Sequence, residues 1–247
     1  MIEDRIKETL ESLAAGGNLR RIPSEEPETG IVDITTNDYL GLSERRDLIE
    51  DFYEHATAAE LAPTAAASRL LASSQRVFEG LEEELSRLYG RPSLLLNSGY
   101  HANSGIIPAI ASPKNTVILA DRLVHASIID GIKLSGARFE RFPHNDYARL
   151  QKLMEKYHGA VDEMLVIVES VYSMDGDSAD IDRLLELKRI YPEVILYVDE
   201  AHAFGVAGRD GLGLVASSMA PEEVDIVIGT LGKAAASSGA FASRAKG

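Results

Sequence analysis

The sequence contains no cysteine, and this absence excludes disulfide-stabilised scaffolds, thiolate metal sites and cysteine nucleophiles. A chain without cysteine also fits the reducing cytoplasm. No apolar run approaches the roughly 20 residues that a membrane-spanning helix needs. Acidic residues within the first four positions argue against a secretory signal. We therefore expect a cytoplasmic protein that does not bind or cross a membrane.

Positive charge is scarce, because 25 Lys and Arg residues stand against 39 Asp and Glu residues, giving a formal net charge of −14. Nucleic acids and anionic membranes attract basic surfaces, so the charge disfavours both as partners. With 247 residues, of which 45% are hydrophobic, the chain is long and apolar enough to bury a globular core.

Two segments have the apolar spacing of amphipathic helices. The first, which Gly16 and Gly17 end, carries a stripe formed by Ile2, Ile6, Leu10 and Leu13. The second carries a stripe formed by Val77, Phe78, Leu81, Leu85 and Leu88. We predict an N-terminal helix and arm over residues 1–45 and one large domain over residues 46–247.

Five short apolar runs, separated mostly by helical stretches, follow along the chain. They are Leu94–Leu96, Val117–Leu119, Val166–Val168, Val194–Val198 and Ile226–Ile228. Such runs between helices are typical of an α/β fold with a mainly parallel sheet and helices on both faces. Ligands of these sheets bind at the carboxyl ends of the strands, so the residues after each run are candidates for a site.

Each predicted strand is followed by polar groups that could reach a ligand. These are Gly99 and Tyr100 at a helix start, His125, Ser173, Asp199 with His202, and Thr230 with Lys233. Each one alone usually has a structural or surface role. Together they bring an anion site, a carboxylate, two imidazoles, hydroxyls and an amine to one edge of the sheet, which indicates a ligand site, without a metal.

An ATPase is one alternative, because Ile195–His202 is similar to the acidic strand of helicase-type ATPases. Such an enzyme needs a GxxxxGK[ST] phosphate loop earlier in the chain. The Gly232–Lys233 pair comes later and is followed by Ala234, where a magnesium-binding hydroxyl would be needed. The order and the chemistry exclude this alternative.

Six segments, read in order, resemble the α-oxoamine synthases, fold-type-I enzymes that use pyridoxal phosphate to join an amino acid to an acyl-CoA with loss of carbon dioxide. The segments are Asn37–Leu42, Ser98–Tyr100, Asp121–Ser127, Glu169–Asp177, Asp199–His202 and Thr230–Lys233. They most resemble the members that condense L-alanine with pimeloyl-CoA, or a pimeloyl carrier protein, to 8-amino-7-oxononanoate in biotin biosynthesis. Glycine C-acetyltransferase, or another synthase with different substrates, is the alternative within the family.

The resemblance implies pyridoxal phosphate as the cofactor and three residues around its ring. Lys233 would form the Schiff base and move the substrate's α proton. Asp199 would keep the pyridine nitrogen protonated. His125 would stack on the ring, orient the substrates and assist the catalysis.

The resemblance also implies contacts to the remaining groups of the cofactor. His202 and Ser173 would hydrogen-bond the ring hydroxyl. Gly99 and Tyr100 would bind the phosphate through their backbone N–H groups at the helix start, with the Thr230 hydroxyl as a further donor.

The acyl substrate would meet Arg20, or its neighbour Arg21, together with Asn37. The resemblance further implies a homodimer with a shared active site. Family members continue beyond the lysine with two more strands and a C-terminal domain. Because this chain ends at Gly247, 14 residues after Lys233, we expect that domain to be absent.

Two stretches, Ala65–Ala67 and Ala234–Ala236, carry alanine where family members often have glycine. A left-handed conformation there would cost about 1 kcal/mol or more. A non-catalytic relative is disfavoured because such proteins usually lose the lysine, and Lys233 is present. A generic α/β domain without a cofactor would have to match six segments by chance.

Overall fold

The structure, a computed structural model, describes residues 1–22, 34–62, 68–71 and 76–245. The chain divides into two compact units, Met1–Thr36 and Asn37–Gly247. The domain boundary predicted after residue 45 stays a prediction. The alanines at 65–67 lie outside the described residues.

The first unit contains helix α1, Ile2–Ala15, as its apolar spacing predicts. Glu3 and Asp4 lie in its first turn, where negative charge complements the helix dipole. Gly17 follows in the left-handed conformation, at a φ of 68°. The helix therefore ends where the two glycines predict.

The second unit contains the remaining helices and strands. The helices are α2 (Arg46–His55), α3 (Arg76–Tyr89), α4 (Gly99–Ile110), α5 (Ala126–Ser135), α6 (Tyr147–Tyr157) and α7 (Ile181–Ile190). The strands are β1 (Ser93–Leu96), β2 (Thr116–Asp121), β3 (Arg138–Phe142), β4 (Glu163–Glu169), β5 (Val194–Asp199), β6 (Ile226–Thr230) and β7 (Ala240–Arg244).

The seven strands form one sheet in the order β1-β7-β6-β5-β4-β2-β3. The five strands from β6 to β3 are parallel, whereas β7 runs antiparallel between β1 and β6. The predicted α/β fold with a mainly parallel sheet is therefore confirmed. Because β1 runs in the same direction as the parallel strands, all five predicted strands end at one edge of the sheet.

Two strands were missed by the sequence pattern. The first, β3, mixes three charged residues with two phenylalanines and lies at the edge of the sheet, so it lacks a continuous apolar run. The second, β7, lies within the 14 residues after Lys233, where no strand was predicted. It packs Phe241 so close to Gly229 that a Cβ at Gly229 would lie 2.2 Å from the ring. Only glycine fits there.

The core lies between the sheet and its helices. All six residues of β2 are buried, as are six of the seven residues of β4. Helices α4 and α5 approach closely at Gly131, where an added Cβ would lie 2.4 Å from the carbonyl oxygen of Asn103. This contact fixes the position of α4 relative to α5 beside the ends of the strands. Within the described residues, no helix combines the length and apolarity needed to cross a membrane.

Candidate active site

The carboxyl ends of the central strands and the first turns of α4 and α5 surround a cavity of about 160 Å³. Seven of the predicted site residues line it: Gly99, Tyr100, His125, Asp199, His202, Thr230 and Lys233. Four further residues line it as well: Asn103, Ser127, Glu169 and Ala201. The strand ends thus meet at one place, as the α/β pattern predicts.

Two carboxyl groups lie side by side at the bottom of the cavity. Glu169 ends β4 and Asp199 ends β5, and the two residues are partners in the register of these strands. Both are almost fully buried, with exposed fractions of 3% and 4%. Burial, together with the charge of Asp199, raises the pKa of Glu169 to about 8. Glu169 is therefore mostly protonated at neutral pH.

A buried amide connects the Asp199 carboxylate to helix α5. Asn103 donates from Nδ2 to Asp199 Oδ2 over 2.8 Å and to Ser127 Oγ over 3.0 Å. Its Oδ1 accepts the Tyr197 hydroxyl over 2.6 Å. The backbone N–H of Ala201 donates to the other carboxylate oxygen of Asp199 over 2.9 Å. Both oxygens of this carboxylate are thus held by donors.

His125 lies directly before α5 and caps its first turn. Its Nδ1 is 2.8 Å from Ser127 Oγ and accepts the Ser127 N–H over 3.2 Å. Its own backbone N–H donates to the Glu169 carboxyl group. The loop that carries His125 is therefore hydrogen-bonded both to the first turn of α5 and to the end of β4.

Lys233 lies after β6 and meets His202, with 2.6 Å between Nζ and Nε2. On its other side, His202 Nδ1 is 2.7 Å from the Tyr39 hydroxyl, which donates to Asn37 Oδ1 over 3.1 Å. Burial, and then the charge of Lys233, lowers the pKa of His202 to about 4. Burial also lowers the pKa of Lys233, against the opposing effect of Asp199 and Glu169. His202 is neutral at neutral pH, and Lys233 loses its proton more readily than an exposed lysine.

The start of α4 offers backbone donors to the cavity. Ser98 caps this helix, because its Oγ accepts from His101 N over 3.3 Å and its carbonyl accepts from Ala102 N over 2.9 Å. The N–H groups of Gly99 and Tyr100, in the first turn, have no acceptor within the helix. They lie at its positive end, which favours an anion.

Thr230 lines the same end of the cavity, but its hydroxyl is engaged. It donates to the Gly239 carbonyl over 3.2 Å and accepts from Gly232 N over 3.3 Å. To donate to a phosphate, it would have to release the Gly239 carbonyl.

Two predicted residues of the second unit do not line the cavity, and a third belongs to the first unit. Ser173 is exposed on the loop after β4. Asn37 is exposed and is linked to His202 through Tyr39. Arg20 and its alternative Arg21 are exposed in the first unit. Their proposed roles stay predictions.

Four residues of the site were missed: Asn103, Ser127, Glu169 and Tyr39. Glu169 follows an apolar run and could have been found by the rule that selected Asp199. Asn103 lies one helical turn after Gly99, and Ser127 lies two residues after His125. Ser127 ends one of the six segments that resemble the family, whereas no sequence signal distinguishes Asn103 from an ordinary polar residue of a helix. Within the described residues, no cluster of His, Asp and Glu could hold a metal ion.

Comparison with known families and proteins gives a consistent result. The model of the aminotransferase class I and II family matches residues 29–245. A relative from Pasteurella multocida (strain Pm70), provisionally named as an 8-amino-7-oxononanoate synthase, is 43% identical over 244 residues, which are 95% of this chain and 63% of that protein. A relative with the same provisional name from Haemophilus influenzae (strain ATCC 51907 / DSM 11121 / KW20 / Rd) is 43% identical over 247 residues, 96% of this chain and 65% of that protein. The chain thus spans just under two thirds of the length of these curated relatives.

Solved structures share the fold. A serine palmitoyltransferase variant from S. paucimobilis, with a bound adduct of pyridoxal phosphate and myriocin, superposes with a TM-score of 0.82 at 26% identity, covering 98% of this chain and 65% of that one. The 8-amino-7-oxononanoate synthase of Francisella tularensis superposes with a TM-score of 0.67 at 29% identity, covering 88% of this chain and 59% of that one.

Proposed function

We propose that this chain, which belongs to the aminotransferase class I and II family, carries the pyridoxal-phosphate site of an α-oxoamine synthase. One observation supports this most directly. A single cavity gathers a half-buried amine, a neutral imidazole, a buried carboxylate and a helix start, from Lys233, His202, Asp199 and Gly99. This combination suits a ligand that has an aldehyde, a phenolic hydroxyl, a basic ring nitrogen and a phosphate.

The donors and acceptors of the cavity fit pyridoxal phosphate group by group. Lys233 would take the aldehyde, and His202 the ring hydroxyl. Asp199 would pair with the protonated ring nitrogen, and the first turn of α4 would bind the phosphate. Bound pyridoxal phosphate supplies an aldehyde for amines and a ring that withdraws electrons from the α-carbon of an amino acid.

The surroundings of Lys233 favour its role as nucleophile and as proton carrier. Burial lowers its pKa, so a larger fraction of the amine is unprotonated at neutral pH. An unprotonated amine can attack a carbonyl group and can accept the α proton of a bound amino acid. The neutral imidazole of His202 lies 2.6 Å from Nζ and can accept a hydrogen bond from it.

The carboxyl groups of Asp199 and Glu169 would have different roles because they differ in protonation. Asp199, with donors on both oxygens, is held as an acceptor for the ring nitrogen. Glu169, whose pKa is raised to about 8, is mostly protonated at neutral pH and does not add a second negative charge. His125 would stand on the open side of the ring, where its Nε2 can meet a substrate oxygen.

The condensation of L-alanine with a pimeloyl thioester is the reaction we propose. The relatives from Pasteurella multocida and Haemophilus influenzae, at 43% identity, carry the provisional name of the enzyme that makes 8-amino-7-oxononanoate. Arg20 and Asn37 would meet the acyl substrate, and Ser173 would join His202 at the ring hydroxyl. The protein would work in the cytoplasm as a homodimer, with the large domain over residues 46–247.

A second candidate is an α-oxoamine synthase with another substrate pair. The serine palmitoyltransferase superposes with a TM-score of 0.82, above the 0.67 of the 8-amino-7-oxononanoate synthase. Because the cofactor residues would be the same for both reactions, only the choice of amino acid and acyl group distinguishes the candidates.

The deciding experiment follows the absorbance of the full-length protein loaded with pyridoxal phosphate while L-alanine, glycine and L-serine are added separately. We expect a saturable spectral change at the lowest concentration with L-alanine. A preference for L-serine or glycine would favour the second candidate. Failure of the protein to bind pyridoxal phosphate would contradict both.

A further inference from the structure

The orientation of the Asn103 amide follows from its neighbours. Its nitrogen faces the Asp199 carboxylate at 2.8 Å and its oxygen faces the Tyr197 hydroxyl at 2.6 Å. The reverse orientation would place two acceptors, the amide oxygen and the carboxylate, in contact. Both Nδ2 protons are used, one by Asp199 and one by Ser127. The amide is therefore fully engaged in one orientation.

The direction of the next hydrogen bond follows from this orientation. Ser127 Oγ accepts from Asn103, so its single proton is free to point at His125 Nδ1, 2.8 Å away. The Ser127 N–H donates to the same nitrogen. With two donors facing it, Nδ1 is an acceptor, and the proton of the neutral imidazole lies on Nε2.

We propose that Asn103 is a positioning residue that sets Asp199 and His125 together, because one buried amide fixes the carboxylate and directs the Ser127 hydroxyl toward the imidazole. The proposal deepens the proposed function and rests on it for the roles of Asp199 and His125. Those two side chains would lie at different parts of the same cofactor ring. A shift of the amide would disturb both contacts at once.

Burial makes this arrangement rigid. The exposed fractions are 1% for Asn103 and Ser127 and 0% for Tyr197. Buried polar groups left without a partner are costly, so the native arrangement is favoured over partly bonded ones. The position of the amide is further fixed by the close approach of α5 at Gly131 to the Asn103 backbone.

Four variants separate the branches of the network. Asn103→Leu removes all three hydrogen bonds of the amide and keeps a side chain branched at Cγ, although leucine is the larger residue. Ser127→Ala removes the branch that runs through Ser127 to His125, and Tyr197→Phe removes only the hydrogen bond to Asn103 Oδ1. Ser135→Ala is the matched control. It removes another buried hydroxyl of α5, which donates to Ile132 and does not belong to the network.

The first readout is the ¹⁵N spectrum of the histidine rings in the cofactor-free full-length protein, with His125 assigned from a His125→Gln variant. In the wild type we expect the His125 proton on Nε2 and an acceptor signal from Nδ1. Ser127→Ala and Asn103→Leu should both move the Nδ1 signal toward that of free imidazole. Ser135→Ala should leave it unchanged.

The second readout is the dissociation constant of pyridoxal phosphate. Asn103→Leu should raise it by about 10-fold, in the range expected when a hydrogen bond to a charged group is lost. Ser127→Ala should change it by less than about 2-fold, because the bond between Asn103 and Asp199 remains. Tyr197→Phe should have an intermediate effect on both readouts.

The proposal is overturned if the His125 proton lies on Nδ1 in the wild type, or if folded Asn103→Leu protein moves only one of the two readouts. If Asn103→Leu does not fold, the two readouts of Ser127→Ala and Tyr197→Phe test the proposal instead. If Ser127→Ala and Tyr197→Phe then give the same histidine spectrum and the same dissociation constant as Ser135→Ala, the positioning role of Asn103 is contradicted. Failure of the wild type to bind pyridoxal phosphate would instead overturn the proposed function, whereas the histidine spectrum is measured without the cofactor.

Discussion

The two walls of the cavity are built differently. The inner wall, formed by Asn103, Ser127, Glu169 and Asp199, is at most 4% exposed. The outer wall is formed by His202 and Lys233 and is supported by Tyr39, which lies behind His202 and is 42% exposed. The inner wall is held by strand register and helix packing, whereas side-chain hydrogen bonds between loops hold the outer wall. This difference implies that the inner wall is preorganised for a ligand and that the outer wall can rearrange around one.

Burial affects the protonation of a side chain on each wall. On the inner wall, burial keeps a carboxyl group protonated at Glu169. On the outer wall, burial and Lys233 keep the imidazole of His202 unprotonated. In both places burial disfavours the charged form of the side chain.

The largest expected effect comes from the inner wall. Asp199→Asn should lower kcat by about 10²–10³-fold, because a fixed charge aimed at the ring nitrogen is lost. The cofactor should still bind at saturating concentration through Lys233. Steady-state kinetics with L-alanine and an acyl-CoA, beside an absorbance measurement of bound cofactor, would test this. A kcat within 3-fold of the wild type would refute the role of Asp199.

The next effect concerns stability and pH. The pKa of Glu169 is raised in the folded state to about 8, above its ordinary value of 4.5. The folded protein therefore keeps a proton that the unfolded chain releases. The stability from this group is fully present below about pH 4.5 and falls by about 1.4 kcal/mol per pH unit as the pH rises toward 8. Glu169→Gln should remove this fall.

Urea denaturation of the wild type and Glu169→Gln at four pH values between 5 and 8 would measure how the free energy of unfolding of each protein depends on pH. Other titrating groups are common to both proteins and cancel. Glu140→Gln serves as the control, because the pKa of Glu140 is lowered by Lys156 and Tyr157 and its contribution is lost only at acidic pH. If the free energies of unfolding of the wild type and Glu169→Gln differ by the same amount at every pH, the raised pKa of Glu169 is contradicted.

A smaller effect is expected on the outer wall. Tyr39→Phe removes the hydroxyl that meets His202 Nδ1 at 2.7 Å. The loss of one hydrogen bond in an exposed place is worth about 0.5–1.5 kcal/mol, so kcat/KM should fall by about tenfold or less. Tyr53→Phe, a change at an exposed tyrosine of α2, is the control. A loss as large as that of Asp199→Asn would mean that the outer wall is as preorganised as the inner one.

The smallest effect concerns the loop that follows Lys233. Ala236 has a φ of 46°, a left-handed conformation that glycine adopts more readily. Ala236→Gly should raise the free energy of unfolding by about 1 kcal/mol or less, and Ala235→Gly should not raise it. Thermal denaturation of the two variants and the wild type would measure these changes in stability. Destabilisation by Ala236→Gly would show that the loop does not hold this conformation.

The strands and the residues at their ends are easier to predict from the sequence than the side-chain contacts between distant parts of the chain. Apolar runs fix β2, β4 and β5, and the strand-end rule selects Asp199 and Lys233, because these features depend on residues that are neighbours in sequence. Partners brought together by packing are not encoded in that way. Asn103 meets Asp199 across 96 positions and Tyr39 meets His202 across 163. The strand β7 was missed because its short apolar run, Ala240–Ala242, consists mostly of alanine, which has a low preference for strands.

Lys233 is proposed to carry the cofactor, and the site of covalent attachment can be measured directly. The full-length protein is loaded with pyridoxal phosphate, reduced with borohydride and digested, and the modified peptide is identified by mass spectrometry, with Lys233→Ala as the parallel sample. We expect one pyridoxyl group, located on Lys233, and none in the variant. A modified peptide that contains another lysine, or an adduct that persists in Lys233→Ala, would contradict it.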